Sequence, residues 1–484
     1  MHFIIKLFPE IIIKSTPVRK RMTRQLRENL RKMLRAIDPA IQVEQDWEKL
    51  QIIGPESDEV PLRVADLLAR TPGIANFSRV QHFPLGSFDD ILQNTLLVWK
   101  EKLNGKTFVL RVKRSGKHEF TSGDVERIVG GGLLHQSEAA GVSLKQPDLT
   151  VRLEIKQQEL FVIEETTKGL GGFPLGSQDT VISLISGGFD SSVSSYLTTK
   201  RGLRTHYLFF NLGGRAHEVG VKEVAFYLWS KFGSSHRVRF ITVPFDGVVG
   251  EILSKVRNSE IGVVLKRMML RAATQVAEDM GVQALVTGES VAQVSSQTLA
   301  NLAVIDSVTK TLVLRPLITS DKNDIIDIAR AIGTEEFAAS MPEYCGVISV
   351  KPTTRAREDK VVAEEANFDF SVLEQAVANS RVQNIDEVME VDANAVDVEI
   401  FQSPQPGATI LDIRHPDEVE MRPLSIQGVT VEALPFFAVQ NKFQHLEQSS
   451  SYLLYCEKGV MSRLHAELLL EQGFHNVAVY RPTS

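Results

Sequence analysis

Cysteine is almost absent: there are two in a chain of 484 residues. That excludes a disulfide-stapled scaffold and any zinc or iron–sulfur site built on four thiolates. The 11 histidines contain no HxxxH or HExxH pair, so no metal site held by the protein itself is expected. No apolar run reaches the ~20 residues that a membrane span needs. The first 14 residues are apolar but broken by Lys6, Pro9 and Glu10, which reads as a strand and turn and not as a secretory leader. No membrane association is expected, and the expected location is cytoplasmic. In that reducing compartment, two lone cysteines are either inert or catalytic.

Hydrophobic residues make up 43% and charged residues 24%, an ordinary balance for a folded protein. The length predicts about three or four domains. The formal net charge of −6 conceals a segregation. Lys14, Arg19, Lys20, Arg21, Arg24, Arg27, Arg31, Lys32 and Arg35 crowd one stretch in which Glu28 is the only acid. From Val361 to Ile400 there are ten acids and one base, Arg381. In the basic stretch Val18, Met22, Leu26, Leu30 and Met33 recur at helical spacing, with Thr16 as a cap and Pro17 in the first turn. One face then packs inward while the arginines line the other. Such a face is either merely solvated or a phosphate-backbone contact. A second basic run, including Arg111, Lys113 and Arg114 beside the strand-like Thr107–Val112, favours nucleic acid.

Strands around Ile41–Val43 and Leu50–Ile53 follow the basic helix, and Pro55 to Pro61 forms a candidate boundary. A small α+β module then runs to about Glu165, with helices at Val64–Arg70 and from Ser122 to Leu134. KGLGGFPLG, residues 168–176, is a linker or a binding loop. Beyond it, buried β runs at Thr180–Ile185, Thr205–Asn211, Arg237–Val243 and Ala284–Thr287 alternate with helices, which argues for a doubly wound parallel sheet. The acidic stretch separates that domain from a last one with four short strands.

The most informative string is Ser186-Gly187-Gly188-Phe189-Asp190-Ser191-Ser192, between an apolar strand and a helix. Two glycines let amides converge, the helix start adds positive potential, and the serines add hydroxyls: a cradle for phosphates. No Walker lysine follows, so an ordinary P-loop does not fit. SGGxDSS in this setting resembles the PP-loop ATP pyrophosphatases, which cleave ATP between the α and β phosphates and place AMP on a substrate oxygen. The resemblance implies that Ser186, Gly187, Gly188, Ser191 and Ser192 hold pyrophosphate, with Asp190 assisting the metal or the reacting groups. Mg2+ is implied as the ion accompanying ATP. Leu184 and Ile185 would meet adenine or ribose through backbone groups. Lys266, Gly288 and Gln297 extend the nucleotide site.

Cys456 ends the strand-like SYLLYC and opens the loop Cys456-Glu457-Lys458-Gly459-Val460-Met461-Ser462, ahead of a helix at Arg463–Glu471. Loop amides, Lys458 and the helix start favour a thiolate or persulfide. With Asp412, Arg414, His415 and Glu418 upstream, the last 80 or so residues resemble a rhodanese domain, whose cysteine carries a persulfide. Cys345 lies in the irregular MPEYCGV and is the only other thiol.

MHFIIKLFPEIIIKS, SGGFDSS, RPLITSDKNDI, MPEYCGVISVKPTT and CEKGVMS together resemble the tRNA 4-thiouridine synthetases in their longer form. The resemblance implies an α/β multidomain chain: a ferredoxin-like domain at 1–60, a THUMP RNA-binding domain at 61–165, a PP-loop domain at 176–395 and a rhodanese-like domain at 402–484. It implies adenylation of C4 of uridine 8 in tRNA and loading of Cys456 by a cysteine desulfurase. Sulfur transfer then leaves a Cys456–Cys345 disulfide, which a reductant reopens. Lys322 would lie near the nucleotide or RNA, and Arg24, Arg27, Arg111, Lys113 and Arg114 on tRNA. A sulfur carrier protein of the thiamine pathway is a second implied acceptor. One rival is a PP-loop synthetase that adenylates a small molecule. The other is a sulfur-relay or RNA-binding adaptor with an idle ATP site. The basic front end and Cys456 count against the first, and the intact SGGFDSS against the second.

Overall fold

The computed structural model describes every residue except 47–48, 213, 342–350, 390–397, 415, 458–459 and 483–484. It forms two compact units, Met1–Gln178 with Lys200–Gly202, and Asp179–Thr199 with Leu203–Ser484.

The first unit holds β1 (His2–Leu7), β2 (Gln42–Asp46), β3 (Lys49–Ile53), β4 (Ile74–Pro84), β5 (Thr107–Ser115), β6 (Gly141–Val142), β7 (Leu149–Lys156) and β8 (Glu159–Gly171). They make one sheet in the order β2-β3-β1-β4-β8-β7-β5-β6. The helix Thr16–Arg35 buries Met22, Leu26, Leu30 and Leu34 and leaves Lys20, Arg21, Arg24, Arg31, Lys32 and Arg35 exposed. Its N-cap is Ser15 and not Thr16, and no side chain caps it; Pro17 occupies the first turn. No break in the core falls at Pro55–Pro61. The helix Val60–Ala69 sends Val64 and Leu68, and β4 sends Ile74 and Phe77, into the same core as Leu26 and Ile52. In the rest of the unit, helices Phe88–Trp99 and Ser122–Gln136 each start at a capping box, Ser87 with Asp90 and Thr121 with Asp124. They pack Ile91, Leu96, Val125 and Val129 against β5 and β7. The glycine-rich 168–176 is neither a loose linker nor an open loop. β8 runs through Gly171, Phe173 enters the core, and the buried Asn29 amide donates to the Leu175 carbonyl at 2.9 Å.

The second unit contains two sheets. The larger is built from β9 (Thr180–Leu184), β10 (Arg204–Asn211), β11 (Arg239–Pro244), β12 (Ala284–Val286), β13 (Leu312–Leu314) and β14 (Arg381–Asn384), in the order β13-β12-β9-β10-β11-β14. All pairings are parallel except that of the edge strand β14. The acidic stretch, expected as a separator, is in its first part a piece of this domain. The helices Glu358–Glu365 and Phe370–Ala378 and strand β14 pack onto it. The acids have partners there: Glu365 takes both prongs of the buried Arg267 fork at 2.6 and 2.9 Å, and Glu364 pairs with Arg257 at 3.0 Å. The smaller sheet, all parallel, comprises β15 (Ile400–Phe401), β16 (Thr409–Asp412), β17 (Val431–Ala433), β18 (Tyr452–Tyr455) and β19 (Val477–Tyr480), in the order β15-β19-β18-β16-β17.

Candidate nucleotide and sulfur sites

In the larger sheet the chain runs from β9 outward through β10 and β11, then returns to β12 on the other side of β9. That reversal opens a crevice beyond the carboxyl end of β9, where ligands bind in open α/β sheets. Ser186–Gly188 lie there, between β9 and the helix Phe189–Lys200. Gly187 adopts φ +82°, a conformation that favours glycine. At Gly288, after β12, a side-chain carbon would fall 2.6 Å from the Asp190 carbonyl carbon and 2.8 Å from the Ser191 nitrogen. Gly288 thus permits β12 to abut the helix start, so the backbone it lets approach is this chain's own.

These elements wall a cavity of about 720 Å³. Leu184, Ile185, Ser186, Gly188, Asp190, Ser191, Lys266, Gly288, Gln297 and Lys322 line it; Gly187 and Ser192 do not. Ser192 is fully buried, and its hydroxyl donates to the Gly188 carbonyl at 2.8 Å. The Ser191 hydroxyl accepts from the Ser186 amide at 3.1 Å, closing the loop on itself. The Ile185 amide donates to the Leu208 carbonyl at 2.9 Å, so it is committed to the sheet. Asp190 accepts from Lys322 Nζ at 2.8 Å and from Gln293 Nε2 at 2.9 Å, a tether from two directions. Lys266 Nζ contacts Glu289 Oε1 at 3.0 Å, and Arg315 Nε contacts Glu289 Oε2 at 2.8 Å. Burial pushes the Glu289 carboxyl up, but Lys266 and Arg315 outweigh it and hold it at about 2. Gln297 Oε1 accepts from the Ser290 amide at 3.3 Å.

In the smaller sheet, Cys456 follows β18 and precedes the helix Val460–Glu471. It is buried, and its sulfur accepts from the Ser462 amide at 3.4 Å, with the Ser462 hydroxyl also at 3.4 Å. Asp412 lies opposite Tyr455 in the β16–β18 register. Arg414 forks onto Asp412 at 2.8 and 2.5 Å and lies 5.1 Å from the Tyr455 ring centroid. Cys345, His415 and Lys458 lie outside the described residues.

Three family models match the chain: "ThiI ferredoxin-like domain" over 2–78, "THUMP domain" over 86–163, and "Thiamine biosynthesis protein (ThiI)" over 176–370. A curated tRNA sulfurtransferase of Saccharophagus degradans is 55% identical over 100% of both chains. One from Klebsiella pneumoniae is 54% identical over the same shares. The chain belongs to the tRNA sulfurtransferase family. Among solved structures, a 4-thiouridine synthetase–RNA complex with bound ATP matches with a TM-score of 0.70 and 26% identity, covering 79% of this chain and 99% of that one. The multidomain α/β architecture agrees with that family.

On the first unit, Arg24 is exposed and Arg27 half-buried; Arg111 and Lys113 are exposed on β5. Arg114 points elsewhere. It is half-buried over the Phe120 ring, with NH1 2.8 Å from His118 Nδ1 and 3.2 Å from the Gly116 carbonyl. Among the described residues, no cluster of three or more His, Cys, Asp or Glu could hold a metal ion, and no helix is long and apolar enough to cross a membrane. Sequence reasoning missed Gln293, Glu289, Arg315 and His217, all of which line the cavity. His217 is buried edge-on to Phe209. Burial holds its imidazole below the ordinary value, against a hydrogen bond with the Ser186 backbone. No local motif announces these four; folding brings them together.

Proposed function

We propose that this tRNA sulfurtransferase makes 4-thiouridine at position 8 of tRNA, consuming ATP. The observation that carries the reading is the tethered Asp190 beside the phosphate loop, in one cavity with Lys266 and Lys322. The ATP and RNA bound in the structurally similar synthetase support it. ATP's β and γ phosphates lie against the loop at Ser186 and Gly188 and the helix start, where the field favours an anion. Leu184, Ile185 and Gln297 form the nucleoside wall, and Lys266 and Lys322 offer charge to the phosphates. The C4 oxygen of the uracil attacks the α phosphate and pyrophosphate leaves, so the base carries AMP as a leaving group. The buried, prearranged donors of the cavity stabilise the charge that develops.

A cysteine desulfurase leaves a persulfide on Cys456. Its terminal sulfur attacks C4 and AMP departs with the former oxygen. The Cys345 thiolate then attacks the Cys456 sulfur, releasing the thiolated base and forming a Cys345–Cys456 disulfide. A dithiol reductant returns two electrons and restores both thiols. The Ser462 amide, at the helix start, donates to the Cys456 sulfur at 3.4 Å. The cavity's carboxylates are already matched by cations, so it fits Mg2+ as an ion that arrives on ATP, with Asp190 the carboxylate at the phosphate loop. There Mg2+ would neutralise phosphate charge. The exposed bases of the helix Thr16–Arg35 and of β5, with Arg27 beside them, form the tRNA surface. The PP-loop and rhodanese-like domains occupy about 176–395 and 402–484. A second transfer runs from Cys456 to a sulfur carrier protein; its support is the name of the family model matching 176–370, a thiamine biosynthesis protein. The test is to incubate the protein with unmodified tRNA, ATP, Mg2+, a desulfurase, cysteine and a reductant. The expected product is a base absorbing in the near ultraviolet, and its absence refutes the reading.

A further inference from the structure

The second unit holds a buried cluster that neither the nucleotide chemistry nor the sulfur chemistry uses. The helix Val460–Glu471, which begins just after the Cys456 loop, carries His465. Its Nε2 meets Glu223 Oε1 at 2.5 Å, with side chains only 2% and 4% exposed. Glu223 belongs to the helix Gly214–Leu228, beside the larger sheet. Arg215 of that helix pairs with Glu471 and lies 3.7 Å from the buried Glu467. A second contact sits alongside. The Phe436 ring meets Phe337 of the helix Glu335–Ser340 edge-on at 4.9 Å, and Tyr227 packs against Phe337 at 5.0 Å. Taking an imidazole and a carboxylate out of water is costly. A buried polar pair of this kind can be retained because it fixes one arrangement among the many that apolar contact alone allows.

The two elements that receive the smaller sheet also wall the nucleotide cavity. His217 of the helix Gly214–Leu228 lines it, as do Ala338 and Ala339 of the helix Glu335–Ser340. Cys456 is itself buried, its sulfur held by Ser462 of the same small sheet's helix. The elements that hold the smaller sheet are thus also the elements that wall the cavity where the base is activated, which suits delivery.

We propose that this contact is the delivery dock of the sulfur-bearing domain, and that Glu223 with His465, backed by Phe337 with Phe436, are its positioning residues. The proposal rests on the reading that Cys456 carries the sulfur. No bond changes at the dock; it sets where the persulfide transfer begins. Transfer takes place with the domain docked.

The test uses the full-length protein with Glu223→Ala and His465→Ala, each measured in three steps. These are tRNA-dependent pyrophosphate release, transfer of labelled sulfur from a cysteine desulfurase to Cys456, and single-turnover thiolation of tRNA by preloaded enzyme with ATP. The first two steps are expected to stay within about twofold of wild type and the third to fall by about tenfold, the size of a lost coupling between buried partners. The exchanged pair Glu223→His with His465→Glu should recover part of the third step. Phe436→Leu, which leaves both ionisable groups in place, should also slow only the third step, and it keeps the test open if a charge variant fails to fold. Thiolation at the wild-type rate in the variants overturns the proposal. Loss of pyrophosphate release overturns it too, because the cluster would then belong to the nucleotide site. Failure of the wild type to accept sulfur at Cys456 instead removes the underlying reading.

Discussion

Replacing Glu289 with glutamine removes the carboxylate that ties Lys266 and Arg315 together at the cavity wall. The carboxyl is 5% exposed, so solvent screens its two cationic partners little. Held at about 2 in place of its ordinary 4.5, it contributes about 3 kcal/mol of folded-state stability at neutral pH. Because the folded value lies below the unfolded one, this contribution is fully present above 4.5 and fades as the pH falls toward 2. Glu289→Gln is therefore expected to cost about 3 kcal/mol at pH 7 and about half that at pH 3. The assay is urea unfolding of wild type and variant at both pH values. Hydrogen exchange in β9 and β12 serves as the probe, so that only the domain holding Glu289 is scored. ATP affinity should fall in parallel, since Lys266 loses the group that aims it. An equal midpoint for the two proteins at pH 7, or a gap that stays the same down to pH 3, would show that the Glu289 carboxylate does not stabilise the fold through Lys266 and Arg315.

Gly288→Ala places a carbon against the backbone of Asp190 and Ser191, which cannot swing aside; a loss of about 1–3 kcal/mol and of ATP binding is expected, checked by melting and by nucleotide titration. Asp190→Ala should abolish tRNA adenylation while Cys456 still accepts labelled sulfur, which mass spectrometry of the 456 peptide would detect. Charge reversal at Arg24 and Arg27 should weaken tRNA binding and lower the slope of log affinity against log salt by about 1–2, read by filter binding at several salt concentrations.

The parts of this molecule legible in the sequence are those fixed by short-range rules. β9 to β12 stand out as apolar runs, and the phosphate loop as glycines and serines between strand and helix. The basic helix shows itself through the spacing of Met22, Leu26 and Leu30. β4 is illegible because Ile74, Phe77, Val80 and Phe83 recur every third residue, so the two-residue alternation that marks a strand is missing. The acidic stretch misleads for a related reason: charge density reads as solvent exposure, yet Glu365 is buried against Arg267, 98 residues away in the chain. Glu289, Arg315, Gln293 and His217 escape notice because their meaning lies in partners that only the closed sheet supplies. Arg114 belongs to a basic run by sequence but is occupied by Phe120, His118 and the Gly116 carbonyl in the fold.

In the proposed reaction a cavity activates the base and a separate thiol brings the sulfur. The most direct measurement is a single-turnover reaction of Cys456→Ala with unmodified tRNA, radiolabelled ATP and a desulfurase. Pyrophosphate should still be released in step with adenylated tRNA, and no thiolated base should form. Thiolation at the wild-type rate in this variant would contradict the division of labour, and so would the disappearance of adenylation together with thiolation.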